Sequence, residues 1–190
     1  RCFARFASRL ADTNGEVSFE TIAGVIRAKI LGDRVQLQMS QPHGLALNAH
    51  LLVAGRAAIV HFINTGVPHA VVSVEDLSKI DIRAMGSSIR YHDHFAPKGT
   101  NANFIQPLGP STLAIRTYER GVEDETLACG TGVVASALIY NQLHNAPSPV
   151  GVKVKGGDIL EVGFEREGNE YRNVTLNGPA DFVFDGQSAL

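Results

Sequence analysis

Apolar and polar positions along the chain follow two periods. Cys2, Phe3, Phe6, Ala7 and Leu10 recur at helical spacing up to the polar cluster Asp12-Thr13-Asn14-Gly15, which predicts a short helix that stops there. From Val17 to Met39 the text tends to alternate, with Phe19, Thr21, Ile22, Val25, Ile26, Ile30, Val35 and Leu37 punctuated by Gly24 and Gly32-Asp33, and this predicts a strand meander. Residues 57–64 and 70–74 predict two strands flanking the loop Thr65-Gly66-Val67-Pro68-His69. Leu77, Ile80, Ile82, Met85 and Ile89 form an imperfect stripe for a second helix over 77–89. After a polar loop with His92, Asp93, His94 and Lys98, strands are expected at 103–107 and 112–119. Residues 126–143 are apolar on nearly every side, the mark of a helix enclosed by protein. Pro147 and Pro149 end it, and 150–185 returns to short strands broken at Gly156-Gly157, Gly168-Asn169 and Asn177-Gly178. The expected class is α+β, with a sheet curling around one apolar helix.

Composition narrows the partners. Seventeen basic and nineteen acidic residues give a formal net charge of -2 without long runs of one sign, so no electrostatic footprint for nucleic acid or an anionic membrane is present. The longest apolar stretch, 45–60, is interrupted by Asn48, His50, Gly55 and Arg56 and falls short of the roughly 20 residues of a membrane span. Two cysteines and no signal peptide lead us to expect a reducing cytoplasm. The chain opens on Arg1 with no capping residue ahead of its first helix, and is therefore expected to begin inside a larger protein.

The segment from Tyr118 through Glu119-Arg120-Gly121 to Cys129-Gly130-Thr131-Gly132 combines charge, a thiol and glycines at the start of the apolar helix. Gly130 and Gly132 let the backbone approach a ligand, and unpaired first-turn N–H groups suit a carboxylate. A thiol there is drawn toward thiolate. The helix dipole, worth about 0.3–1 kcal/mol, is less than the roughly 1.36 kcal/mol of one pKa unit, so further help is needed from His69 or a bound cationic group. The plain alternative for Cys129 is a small buried hydrophobe, against which stand its flanking glycines and the upstream Glu119-Arg120 pair. His69 serves equally well as a turn residue with a hydrogen-bonded ring, and Asn101 and Asn103 as turn caps. Of the seven histidines only His92 and His94 sit two apart, without a third ligand at a recognisable spacing, so no metal is expected. No phosphate-loop or dinucleotide fingerprint is present, and no cofactor is called for.

Together, Tyr118-Glu119-Arg120-Gly121 and Glu125-Thr126-Leu127-Ala128-Cys129-Gly130-Thr131-Gly132 resemble the second cysteine motif of diaminopimelate epimerase. Asn64-Thr65-Gly66-Val67-Pro68-His69, Gly99-Thr100-Asn101-Ala102-Asn103-Phe104 and Asn177-Gly178-Pro179-Ala180 follow in that family's order. The resemblance implies two similar domains, each a barrel-like sheet around a central apolar helix, with the first incomplete here. Residues 1–40 would be the remainder of the first domain, 41–176 the second with its central helix at 130–143, and 177–190 a strand returning to the first. It also implies cofactor-independent epimerisation of LL- to meso-diaminopimelate by two opposed thiols, for lysine and peptidoglycan precursor synthesis, in a cytoplasmic enzyme that forms homodimers. By resemblance Cys129 is one acid/base, and His69 and Glu119 adjust its protonation. Asn101, Glu119 and Arg120 hold the substrate's charged ends, and the N–H groups of Gly130 and Thr131 bind its α-carboxylate. Arg1-Cys2 matches only the end of the family's first cysteine motif, so the opposed thiol would lie upstream of Arg1, Cys2 would be a packing residue, and residues 1–190 alone would be inactive. Val67 stands where the family carries asparagine, and Asn64 is the candidate to compensate. The alternatives are a proline or hydroxyproline racemase, which lacks the Glu119-to-Cys129 spacing, and a non-catalytic half-site relative, against which Cys129, His69 and Glu119 together argue.

Overall fold

The computed structural model describes residues 1–10, 15–21, 24–184 and 186. Helix α1 (Cys2–Leu10) leads into the meander the alternation predicts, β1 (Glu16–Thr21), β2 (Gly24–Leu31) and β3 (Arg34–Gln38). Asp12, Thr13 and Asn14 of the polar stop, together with Ile22 and Asp185, lie outside the described residues. Strand β4 (His43–Val53) then pairs with β5 (Arg56–Asn64) through a tight turn at Ala54-Gly55, both at positive φ, the backbone a two-residue hairpin turn requires. Strand β4 is absent from the sequence prediction, and its register explains why. Its pairing with β5 slips between His43 and Ala46 and again between Ala46 and Ala49, near the positive-φ residues Gly44 and Asn48, so the alternation resets twice within one strand.

Strand β6 (Pro68–Ser73), α2 (Ile82–Arg90), β7 (Asn101–Gly109), β8 (Thr112–Glu119), β9 (Asp124–Thr126), α3 (Gly130–His144), β10 (Val150–Lys153), β11 (Ile159–Glu167) and β12 (Glu170–Pro179) complete the order. The helix expected at 77–89 is split into a 3-10 turn (Leu77–Lys79) and α2. Each piece has its own aspartate cap: Asp76 accepts from the Ser78 N–H, and Asp81 from the Ala84 N–H. Helix α3 starts at Gly130 rather than Thr126 because 124–126 pair with β8 as a short strand. The break expected at Asn177-Gly178 is not a turn. Strand β12 runs through it to Pro179, pairing Asn177 with Gln36 and Gly178 with Val35 of β3, and the glycine makes room for the Leu160 side chain.

Among the described residues the strands form one sheet in the order β1-β2-β3-β12-β11-β10-β8-β7-β6-β5-β4, with β9 on β8. Pairs β6–β7 and β8–β10 are parallel; the other neighbours are antiparallel. The sheet curls around α3, which touches β5, β6, β7, β8, β10 and β11. Val133, Leu138 and Ile139 of α3 are fully buried, each such side chain worth about 1.5–3 kcal/mol of burial. Helix α2 covers the outer face, with Ile82 and Ile89 among Ala70, Val72, Ala102 and Phe104. Helix α1 sets Ala4 against Ala28 and Val35 in a separate small core. Cys2, expected as a packing residue, is exposed instead, because α1 turns Ala4 to the sheet. No helix among the described residues is long and apolar enough to cross a membrane.

Strands buried on both faces position the site. In β7, Ala102 and Phe104 join the α2 side, while Ile105 faces α3. Period two therefore turns Asn103 and Asn101 toward α3 as well, and His69 follows Val71 of β6 in the same way.

Candidate active site

Cys129 is the residue that caps α3, with extended backbone (φ -119°, ψ 108°), and its side chain makes no capping hydrogen bond to the first turn. The residue is buried, 8% exposed. The acidic run before it is largely structural. Glu123 meets Arg90 at 3.0 Å, Asp124 holds Arg83 through two contacts of 2.8 and 2.7 Å, and Glu125 grips Arg116 at 2.6 and 2.9 Å and Lys155 at 2.6 Å. Among the described residues Glu119 enters no such ion pair. Its Oε2 accepts the Thr126 hydroxyl at 2.9 Å, and its charge adds to burial, the larger cause, in raising the Cys129 thiol's pKa.

His69 is fully buried on β6. Its Nε2 lies 2.9 Å from the Thr131 hydroxyl and its Nδ1 3.1 Å from Nδ2 of Asn103. The same Asn103 nitrogen donates to the Ala70 carbonyl at 2.9 Å, and Asn103 Oδ1 accepts the Thr117 hydroxyl at 3.0 Å. The Thr131 hydroxyl in turn stands 3.6 Å from Cys129 Sγ. Gly132 closes the cluster: a Cβ there would fall 2.5 Å from Asn103 Oδ1 and 3.3 Å from both Cys129 Sγ and His69 Cε1.

Electrostatics correct one expectation. Burial, and then the nearby Arg120 charge, push His69 down to about 3, so the ring is neutral and cannot supply positive charge to the thiol. Burial also pushes the Cys129 thiol up, outweighing the Thr131 hydroxyl and the Thr131 and Gly132 amides, which pull it down. At rest the sulfur is therefore a thiol.

The other expected residues gather around this cluster. Asn101 donates to the Pro68 carbonyl and accepts the Arg120 N–H, tying β6 to the end of β8 and leaving one amide N–H free of these bonds. The Arg120 side chain donates to the Lys98 carbonyl at 3.2 Å. Asn64 accepts the Gly66 N–H and so holds its own turn. A concavity of about 570 Å³ is lined by Phe62, Asn64, Val67, Phe95, Lys98 and Arg120 among others, but not by Cys129, His69 or Glu119. Thr131 and Asn103 carry more than the sequence revealed: the Thr131 side chain, and not only its amide, belongs to the cluster. A polar residue between the apolar Ala102 and Phe104 of β7 was the available signal for Asn103, since a buried amide demands partners. Among the described residues no group of three or more histidine, cysteine, aspartate or glutamate side chains could hold a metal.

Comparison with solved structures defines the class. A probable proline racemase from Agrobacterium radiobacter K84 superposes over 100% of this chain and 66% of its own, with a TM-score of 0.72 at 18% identity. A phenazine biosynthesis PhzC/PhzF protein from Clostridium difficile covers 98% and 70%, with a TM-score of 0.71 at 11% identity. By fold the chain falls in the group that holds these proteins. Sequence narrows it: the diaminopimelate epimerase family model matches residues 61–183. The diaminopimelate epimerase of Aquifex aeolicus is 44% identical over 98% of this chain and 67% of its own length, and that of Chlorobaculum tepidum 41% over 100% and 73%. The chain belongs to the diaminopimelate epimerase family and spans two thirds to three quarters of the length of these two relatives.

Proposed function

We propose that this chain carries one half of a two-base epimerisation of LL- to meso-diaminopimelate, with Cys129 as the acid/base on one face of the α-carbon. The observation that supports this most is the placement of Cys129 at the N-cap of α3, a residue 8% exposed whose sulfur is hydrogen-bonded to Thr131. In the thiolate form the sulfur takes the α-proton: the C–H bond breaks, an S–H bond forms, and the electron pair stays on the α-carbon, delocalised into the carboxylate. The N–H groups of Gly130 and Thr131, at the positive end of α3, stabilise that charge as it develops. The substrate's ammonium is the cation that favours thiolate, a part the neutral His69 ring cannot play. Glu119, Arg120 and Asn101 orient the substrate's charged groups, with Asn64 beside Val67 at the concavity.

Delivering a proton to the opposite face requires a second acid. Cys2 is the sequence's other thiol and sits exposed on α1, so the proposal assigns the opposed group to a segment outside residues 1–190. The division at residues 40 and 176 belongs to the same proposal, supported by the separate core under α1 and by the pairing of β12 with β3. Cytoplasmic location, homodimeric assembly and a place in lysine and peptidoglycan precursor synthesis rest on the family resemblance. The test incubates the complete gene product with LL-diaminopimelate, proline or 4-hydroxyproline and no added cofactor. Conversion of diaminopimelate alone is expected; turnover of proline without diaminopimelate would overturn the reading.

A further inference from the structure

The amide of Asn103 touches neither Cys129 nor any position assigned to substrate, yet its geometry determines what the sulfur meets. The Ala70 carbonyl can only accept, so the Asn103 atom 2.9 Å from it is the NH2 group; the flipped amide would set two oxygens against each other. That NH2 also points at His69 Nδ1, 3.1 Å away, which must then be the ring's lone-pair nitrogen. A neutral imidazole has one N–H, and it is left on Nε2, where it donates to the Thr131 oxygen at 2.9 Å. With its oxygen accepting from the ring, the Thr131 hydroxyl directs its own proton elsewhere, and Cys129 Sγ stands 3.6 Å away. Thr117, donating to Asn103 Oδ1, holds the amide from its other end.

We propose that Asn103 and His69 are positioning residues that lock the Thr131 hydroxyl as a hydrogen-bond donor to the Cys129 thiolate, so that the buried histidine acts as a fixed neutral dipole rather than as a proton carrier. A donor aimed at the charged form favours that form, and in a shielded site the bond is stronger than in water. No proton leaves the ring or the hydroxyl in this scheme. Among the described residues the charged groups acting on the sulfur and on the neutral His69 ring are Glu119 at the end of β8 and Arg120 just after it; the first turn of α3 contributes none. This inference rests on the proposed acid/base role of Cys129, but its test reads the thiol and not the substrate, so the two can fail separately.

The experiment uses residues 1–190 with Cys2→Ser, leaving Cys129 as the single thiol, and follows iodoacetamide alkylation against pH. Thr131→Val should raise the alkylation midpoint by about one pH unit, a tenfold loss of thiolate fraction or about 1.4 kcal/mol. Thr131→Ser should restore it, and Asn103→Leu should raise it while Thr131 remains. Long-range proton–nitrogen NMR of the unaltered protein should show His69 protonated on Nε2 alone. A ring protonated on Nδ1, or a Thr131→Val midpoint equal to that of the parent, would overturn the proposal. The NMR measurement decides the matter even if a variant fails to fold.

Discussion

His69 Nε2 and the Thr131 hydroxyl stand 2.9 Å apart, across the junction between strand β6 and the start of the buried helix α3. The contact joins two segments 62 positions apart in sequence and makes the imidazole part of the wall that shapes the Cys129 site. A ring so placed has consequences for stability as well as chemistry.

The first concerns pH. His69 has its pKa lowered in the folded protein from 6.5 to about 3, chiefly by burial. Below pH 6.5 the unfolded chain therefore binds a proton that the folded chain refuses, and stability falls with pH across that window. One such group contributes a slope of about 1.4 kcal/mol per pH unit. Its contribution is complete above pH 6.5 and lost as pH falls toward 3. Urea denaturation at pH 7 and pH 5 should show a smaller loss for His69→Gln than for the parent; equal losses would contradict burial of a neutral ring.

Gly132→Ala tests how tightly the cluster closes. A methyl group suits a helix better than hydrogen by about 1 kcal/mol, but here it would lie 2.5 Å from Asn103 Oδ1, which is held by Thr117. Overpacking of this kind costs about 1–3 kcal/mol, so the clash should win. We expect lower stability by urea denaturation and an altered alkylation rate of Cys129, with near-parental values on both counts contradicting the geometry.

Glu125→Gln probes the anchor of the segment that leads to the thiol. Glu125 is held by Arg116 and Lys155, and its pKa is lowered chiefly by the Arg116 hydrogen bond. Loss of charge-assisted bonds in this shielded position should cost about 2 kcal/mol, measured at pH 7. The penalty should shrink in acid, because this stabilisation exists above the unfolded carboxylate pKa and fades as pH falls through the lower folded value. A cost independent of pH would show that the charge is not what matters.

Much of this was legible beforehand. The apolar run of 133–139 declared a helix enclosed on every side, alternation over 17–39 gave the meander that holds β1 to β3 without bounding its strands, and the strand expected at 112–119 is β8. Strand β4 was hidden because its two register slips break the period on which alternation depends. Glycine 178 misled because a glycine that makes room for Leu160 looks, in a string of letters, like one that turns the chain. The grouping of Cys129 with His69 and Glu119 was implied by the family resemblance. The hydrogen bonds through Thr131 and Asn103 were not, since they depend on which face of β7 meets the first turn of α3. Burial energies, which set the protonation of His69 and Cys129 at rest, likewise require the third dimension.

The most direct test of the account is deuterium uptake at the α-carbon of diaminopimelate, followed by NMR or mass spectrometry in heavy water with the complete gene product and its Cys129→Ala variant. The unaltered protein is predicted to exchange the α-proton with solvent while epimerising the substrate, and the variant to do neither, although it remains folded. Epimerisation and exchange at undiminished rates in the variant would contradict the assignment of Cys129 as the acid/base.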